Sequence, residues 1–333
     1  MKEGIVVKKL LGLVVLLILA VGLAGCGGKG APAKDGAKAE YPVKPITLIV
    51  SFSAGGGTDL GARMLVPYLE KELGVPVVVE NKPGGGGWVG YSEMLKAKPD
   101  GYILGYVNTP GLITGYLNPS AKRQQNLDSF EYIANHVIDP GVIAVRANDT
   151  RFNTIQELVE YAKTKELSAT TNGVGSGNHF ASLEMNKELG TKIKPVHFAG
   201  TGEALTAVLG GHVDIFVVKV GEIIEPVKDG QFKVLGVMSK ERVPQLLNIP
   251  TFKETVGEVI NTTIRGVAAP KGMDPKVVEK LQTAFEKAMK NPEHIQKMEK
   301  LGLIVDGRKG EEFKKLLKEE EQITIGLKSL LGW

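Results

Sequence analysis

One cysteine stands in 333 residues, at position 26. Beyond it the chain has no thiol, which excludes a disulfide framework, a cysteine nucleophile and a thiolate metal site. Aromatic residues are few, at 6%, and no stripe of lysine and arginine interleaves with them. Formal net charge is only +4, so the composition excludes a nucleic-acid or polyanion partner. His136, His197, His212 and His294 show no metal-ligand spacing such as His-Glu-x-x-His, and no metal or cofactor is expected.

What is present begins at the N-terminus. Lys2, Lys8 and Lys9 precede the apolar run Leu10 to Ala24, which is too short to span a bilayer comfortably and matches a signal h-region. Leu23-Ala24-Gly25-Cys26 resembles a lipobox, so residues 1–25 are expected to be removed and Cys26 lipidated. That segment holds three lysines and one glutamate, and about half the net charge leaves with it. Residues 26–41, rich in Gly, Ala and Lys without apolar periodicity, then form a tether to the membrane.

At 43% hydrophobic and 23% charged residues the remainder is globular and long enough for two domains. It opens on Ile46 to Asp59, ITLIVSFSAGGGTD, a β-branched run ending in three glycines. A helical pattern follows to Leu73, with Pro67 expected to kink it or shift its start and Gly74 to cap it. Strand, glycine turn and helix start make either a bare turn or an anion cradle of free N–H groups with Ser53 and Thr58 hydroxyls. The turn has neither dinucleotide-fingerprint nor Walker spacing. Asp59 would repel an anion and is assigned to capping or to a place behind the contacting groups, in preference to direct contact.

Strands at Val75 to Glu80 and Tyr102 to Val107 alternate with a helix at Val89 to Ala97, which argues for a parallel, doubly wound α/β sheet. Ile133 to Ala147 reads as strands around an Asp139-Pro140-Gly141 turn. Thr154 to Lys165 is an amphipathic helix whose Thr154 and Glu157 have capping-box spacing. The strand Ser168 to Thr171 then ends in Asn172 to His179, NGVGSGNH, before a helix from Phe180 to Leu189. The opening architecture occurs a second time. Ser176 and His179 are also the sharp alternative, a secreted Ser/His hydrolase, although Gly175-Ser176-Gly177 lacks nucleophile-elbow spacing. Short strands and helices follow to Met238, Ile264 to Ala269 returns to the first unit, and helices at Pro275 to Met289 and Gly310 to Leu331 close the chain.

The ordered motifs carry a resemblance. Tyr41-Pro42-x-Lys44-Pro45-Ile46, FSAGGGTD, Val77 to Gly87 and Pro99-Asp100-Gly101-Tyr102 are followed by Gly173-x-Gly175-Ser176-Gly177-x-His179 and Gly200-x-x-x-Ala204-Leu205. Leu209-Gly210-Gly211-His212-Val213-Asp214, Ser239-Lys240-x-Arg242 and Ile249-Pro250-Thr251 complete the series. In this order they resemble the Bug family, the TctC-type receptors of tripartite tricarboxylate transporters. The resemblance implies a two-domain type II periplasmic-binding-protein fold, each domain a mostly parallel sheet flanked by helices. Domain 1 would be 42–144 with 265–333 and domain 2 would be 145–264, closing over a ligand cleft. It implies an extracytoplasmic, non-enzymatic receptor for a small carboxylate, serving integral membrane subunits and acting as a monomer. The matched ligand-binding positions are Ser53, Ala54, Gly55, Gly56, Gly57 and Thr58 in one loop and Asn172, Val174, Gly175, Ser176, Gly177 and Asn178 in the other, with Phe198, Val218 and Lys219 beside them. Departures from the family pattern are Val218, which removes a polar contact, and Lys219, which adds a cation if it faces the cleft rather than solvent. Phe198 and Trp88 are expected to line a less polar ligand end.

Overall fold

The computed structural model describes residues 40–198 and 200–333. The expected signal segment and Cys26 lie outside them, as does the expected tether up to residue 39. Tyr41 already belongs to the fold, its hydroxyl donating to the Gly101 carbonyl at 2.7 Å.

Strand β1 (Ile46–Val50) pairs in parallel with β2 (Val77–Asn81) and β3 (Ile103–Asn108). Period-2 alternation sends Ile46, Leu48 and Val50 to one face, where Ala62, Leu65 and Leu69 of helix α1 (Gly57–Leu73) cover them. Ile49 points to the other face, against Trp88, Tyr91 and Met94 of α2 (Trp88–Leu95). Gly74 closes α1 in the left-handed conformation at φ 71°. Pro67 neither breaks α1 nor shifts its start. Both Pro67 and Arg63, whose carbonyl loses its partner, are exposed, and solvent takes the missing bond's place. Helix α3 (Gly111–Leu117), absent from the sequence reading, follows β3.

The expected turn at Asp139-Pro140-Gly141 is not a turn. A single 17-residue strand, β4 (Phe130–Arg146), runs through it. From Phe130 to Pro140 it pairs antiparallel with β9 (Thr262–Pro270), and Val137 and Ile138 pair with β10 (Ile304–Val305). From Gly141 onward it pairs antiparallel with β7 (Phe216–Lys219) and β8 (Phe232–Met238). Pro140 sits where one set of partners gives way to the next, a position that tolerates a missing N–H. The Gly141 N–H donates to Asn261 at 2.7 Å, just before β9 begins.

Past β4 the chain builds a second αβ array. Helix α4 (Ile155–Thr164) starts in the anticipated capping box: Thr154 accepts from the Glu157 N–H, and the Glu157 carboxylate accepts from the Thr154 N–H, both at 3.2 Å. Then come β5 (Leu167–Thr171), α5 (Gly177–Leu189), β6 (Ile193–His197), α6 (Thr201–Leu209), β7, α7 (Val220–Lys228), β8 and α8 (Phe252–Thr255). β5 and β6 are parallel, and a parallel bridge from Ala169 to Ile215 joins β5 to the segment leading into β7. Apolar clusters cover both faces, one around Phe152, Leu158 and Phe252, the other around Phe216, Val218 and Ile223. After β9, helices α9 (Pro275–Met289), α10 (Pro292–Lys300) and α11 (Gly310–Gly326) return to the first array, Leu281 and Phe285 of α9 packing into the α1 core. The last helix ends at Gly326, short of the expected Leu331.

The architecture is therefore α/β with a mixed sheet. β1, β2 and β3 in one array and β5 and β6 in the other are parallel, their connections long enough for a crossover, and β4 and β9 run antiparallel to each other.

Candidate ligand-binding cleft

The first glycine loop is held from behind. The Asp59 carboxylate accepts from the Gly55 N–H at 2.9 Å, from Arg63 at 3.0 Å and from the Asn81 amide at 2.8 Å. Burial alone would raise this carboxyl, but those bonds override it and hold it below the usual range. Asp59 thus supports the loop. Gly55 takes φ +80°, a conformation that favours glycine. Helix α1 begins at Gly57 with Gly56 as N-cap and no side-chain cap, so its first-turn N–H groups and positive dipole end are open to an anion. Ser53, Ala54, Gly55 and Gly56 are exposed, while Thr58 is buried, its hydroxyl accepting from the Asn108 amide at 2.9 Å.

The second loop repeats the design with different bonding. The Ser176 hydroxyl accepts from the His179 backbone N–H at 3.3 Å and so caps α5. The His179 imidazole accepts from the Gly175 N–H through Nδ1 at 3.1 Å and stands edge-on to His197 at 5.0 Å. Burial, then the neighbouring His197, hold its pKa down to about 4. Serine and imidazole therefore serve the helix start and the loop backbone, not each other. Asn178 is a buried brace, its amide donating to the Val217 carbonyl at 2.9 Å. Asn172 donates to Thr201 at 3.2 Å, and Thr201 to Glu222 at 2.9 Å. Val174, 68% exposed, forms the loop's apolar tip.

Between the two loops stand two buried cations. Lys219 closes β7 and is only 4% exposed, so the solvent-facing alternative falls. Its Nζ lies 3.3 Å from where a side chain on Gly177 would begin, and the Thr263 hydroxyl lies equally close. One ammonium N–H donates to Asn261 at 2.7 Å. Arg265, two residues along β9 from Thr263, is paired through Nη1 with Asp139 at 2.9 Å, and both side chains are buried. Asp139 also accepts from the Gly221 N–H at 3.3 Å. The Arg265 Nη2 is 3.6 Å from where a side chain on Gly57 would begin. Each glycine at a helix start thus admits a cation, Arg265 from β9 beside Gly57 and Lys219 from β7 beside Gly177.

Burial pulls the Lys219 pKa down to about 8, and behind it burial pushes Glu184 up to about 8 and Glu320 to about 7. Asn261 bridges Lys219 and Glu184 with bonds of 2.7 and 3.4 Å. Glu184 and Glu320 border a cavity of about 10 Å³, roughly the space of one water. With Asp139 committed to Arg265 and Glu184 favouring its neutral form, the centre of the site is electropositive.

Arg265, Asp139, Thr263 and Asn261 are additions to the sequence-derived site. Their signal was an arginine and polar neighbours in an otherwise β-strand-like run, NTTIRGVAA. Two expectations need correction. Val218 is fully buried in the apolar cluster with Phe216 and Val220, because alternation along β7 turns it away from Lys219. Trp88 is 2% exposed, its indole N–H donating to Gly111 and Leu112 carbonyls at 3.2 and 3.1 Å, so it fills core and lines no ligand end. Phe198 packs half-buried against that same Phe216 cluster, its N–H donating to Thr171 at 2.9 Å.

Residues 62–325 match the family model of the tripartite tricarboxylate transporter family receptor. A curated relative from Cupriavidus necator, the UPF0065 protein in the gbd 5′ region, is 32% identical, with 86% of each chain covered. The solved periplasmic binding protein BugD is 30% identical at a TM-score of 0.75, over 88% of this chain and 99% of that one. MatC of Rhodopseudomonas palustris, solved with bound malate, is 26% identical at a TM-score of 0.73, over 85% and 98%. The family match takes in the second glycine loop and residues of both arrays, and the likenesses leave no place for the hydrolase alternative. The chain belongs to the tripartite tricarboxylate transporter receptors, a family of periplasmic solute-binding proteins.

Proposed function

We propose that this receptor captures a small organic acid between two domains, 42–144 with 265–333 and 145–264, and delivers it to the integral membrane subunits of a tripartite tricarboxylate-type transporter. The observation that carries the reading is the convergence of two helix starts, at Gly57 and Gly177, on Arg265 and Lys219. Open N–H groups, two dipole ends and two cations favour an anion, and a carboxylate matches the geometry of backbone and guanidinium donors. The malate held by MatC is an acid of this class. Ser53 to Gly57 and Asn172 to Gly177 supply the backbone donors, with Lys219 between them. Ligand bridging both walls stabilises the closed form because only that form satisfies both halves of its contacts. A lipid on Cys26 holds the receptor at the membrane as a monomer.

Native mass spectrometry of the mature protein as purified is the direct test. A retained mass matching a carboxylic acid is the expected result. If, instead, no organic acid in a broad screen raises the melting temperature of the folded protein, the ligand class is wrong.

A further inference from the structure

We infer that the receptor takes up a proton together with its acid, on a second site formed by the Glu184 and Glu320 carboxyls behind Lys219; this rests on the carboxylate reading above.

Lys219 is buried and makes no ion pair among the described residues. Its ammonium is tied to a carboxyl through a single amide instead. The Asn261 Oδ1 accepts from Lys219 Nζ at 2.7 Å, and the Asn261 Nδ2 donates to Glu184 Oε2 at 3.4 Å. Glu184, on α5, is 8% exposed. Glu320 reaches the same place from α11, and the two carboxyls border the one-water cavity together with Asn261 and Gly177.

Burial raises both carboxyls, and Lys219 lowers both. Like charges raise them further, Glu320 and Glu188 acting on Glu184 and Glu319 on Glu320. On the other side of the ammonium, Asp139 from β4 and Glu222 from α7 face it, with Arg265 from β9 opposing. Asp139 is committed to Arg265 at 2.9 Å, and Glu222 is itself raised by burial. Glu184 and Glu320 are therefore the anions that balance Lys219 before an acid arrives.

A ligand carboxylate beside Lys219 replaces that balance. The carboxylate left behind in the wall becomes a buried charge without compensation, and a proton from solvent neutralises it. The proton need not pass the ligand. Ile260, Thr262, Glu320 and Ile323 border both the one-water cavity and a groove of about 1030 Å³ along β10, whose walls include the exposed Lys240, Glu241 and Glu319. Solvent reaches Glu320 from that groove, and a single water in the cavity suffices to pass a proton to Glu184.

The test starts with calorimetric titration of the mature wild-type protein at pH 8, using malate and unbranched mono- and dicarboxylic acids of three to eight carbons in buffers of different ionisation enthalpy. We expect about one proton taken up per acid bound, little or none at pH 6, and an affinity that falls by up to about tenfold per pH unit above pH 7. Infrared difference spectra of bound against free protein at pH 8, with the tightest-binding acid, then locate the proton. A new carboxylic-acid C=O band is expected, lost or halved in Glu184→Gln or in Glu320→Gln. Binding without proton uptake, uptake without that band, or a band unchanged in both variants overturns the inference and leaves the receptor reading intact. Absence of binding by every acid removes both.

Discussion

Glu184 is a carboxyl placed where charge is unwelcome. It faces Asn261 directly, with Lys219 beyond and Glu188 and Glu320 contributing repulsion, and burial dominates its shift. Its folded pKa, about 8, stands above the ordinary value of 4.5, so the folded state binds more protons than the unfolded state between those values. Stability from this group is complete below the ordinary value and is lost as pH rises toward 8. Glu320, raised to about 7, adds in the same direction. Glu184→Gln should therefore flatten the fall in melting temperature between pH 5 and 8, leaving the variant more stable than wild type at pH 8 and little changed at pH 5. An identical pH profile for both proteins would remove Glu184 from the account. Nothing in the sequence around Glu184 advertises this behaviour, because it comes from burial in the folded chain, against which the Asn261 amide, 77 positions away, works in the opposite direction.

At the scale of elements, the two strand-glycine-helix units were legible because their signals are local: apolar runs, glycine clusters and a capping box within a few residues. The roles inside them were less so. Ser176, Asn178 and Thr58 all look like ligand groups in sequence, yet each hydroxyl or amide already has a protein partner. The meaning of Arg265 is not legible locally, because it depends on β9 bringing its guanidinium beside Gly57 at the start of α1. The turn signal at Asp139-Pro140-Gly141 failed for a related reason: local chemistry favoured a bend, but partners supplied from residues 216–270 kept β4 extended. Gly177 shows how tightly the element boundary is drawn. A β-carbon there would sit 3.3 Å from both Lys219 Nζ and the Thr263 hydroxyl, at a backbone conformation open to any residue. Gly177→Ala should leave the melting temperature within a few degrees but weaken acid binding about tenfold or more, as titration would reveal. A β-carbon on Gly57 would meet Arg265 at 3.6 Å, ordinary contact, so Gly57→Ala should be the milder of the two.

For the whole molecule, the proposed closure would flex the chain near Pro140–Gly141 and Asn261–Thr262, where pairing partners change. Small-angle scattering should record a smaller radius of gyration when a binding acid is added, with folding stability rising by RT ln(1 + [L]/Kd) and the melting temperature rising with it. Unchanged dimensions with a raised melting temperature would mean that the cleft fills without closing. The same crossing strands have a consequence for the order in which the chain matures. The second array is one uninterrupted stretch whose two ends leave side by side along β4 and β9, so it is complete once those residues have been made. The first array lacks β9, α9 and α11, and with them Leu281, Phe285 and Phe313 of its core, until the last seventy or so residues emerge. Until that tail is made the first array cannot close its core, whereas the second array can, so the two halves of the cleft mature in sequence, second array first.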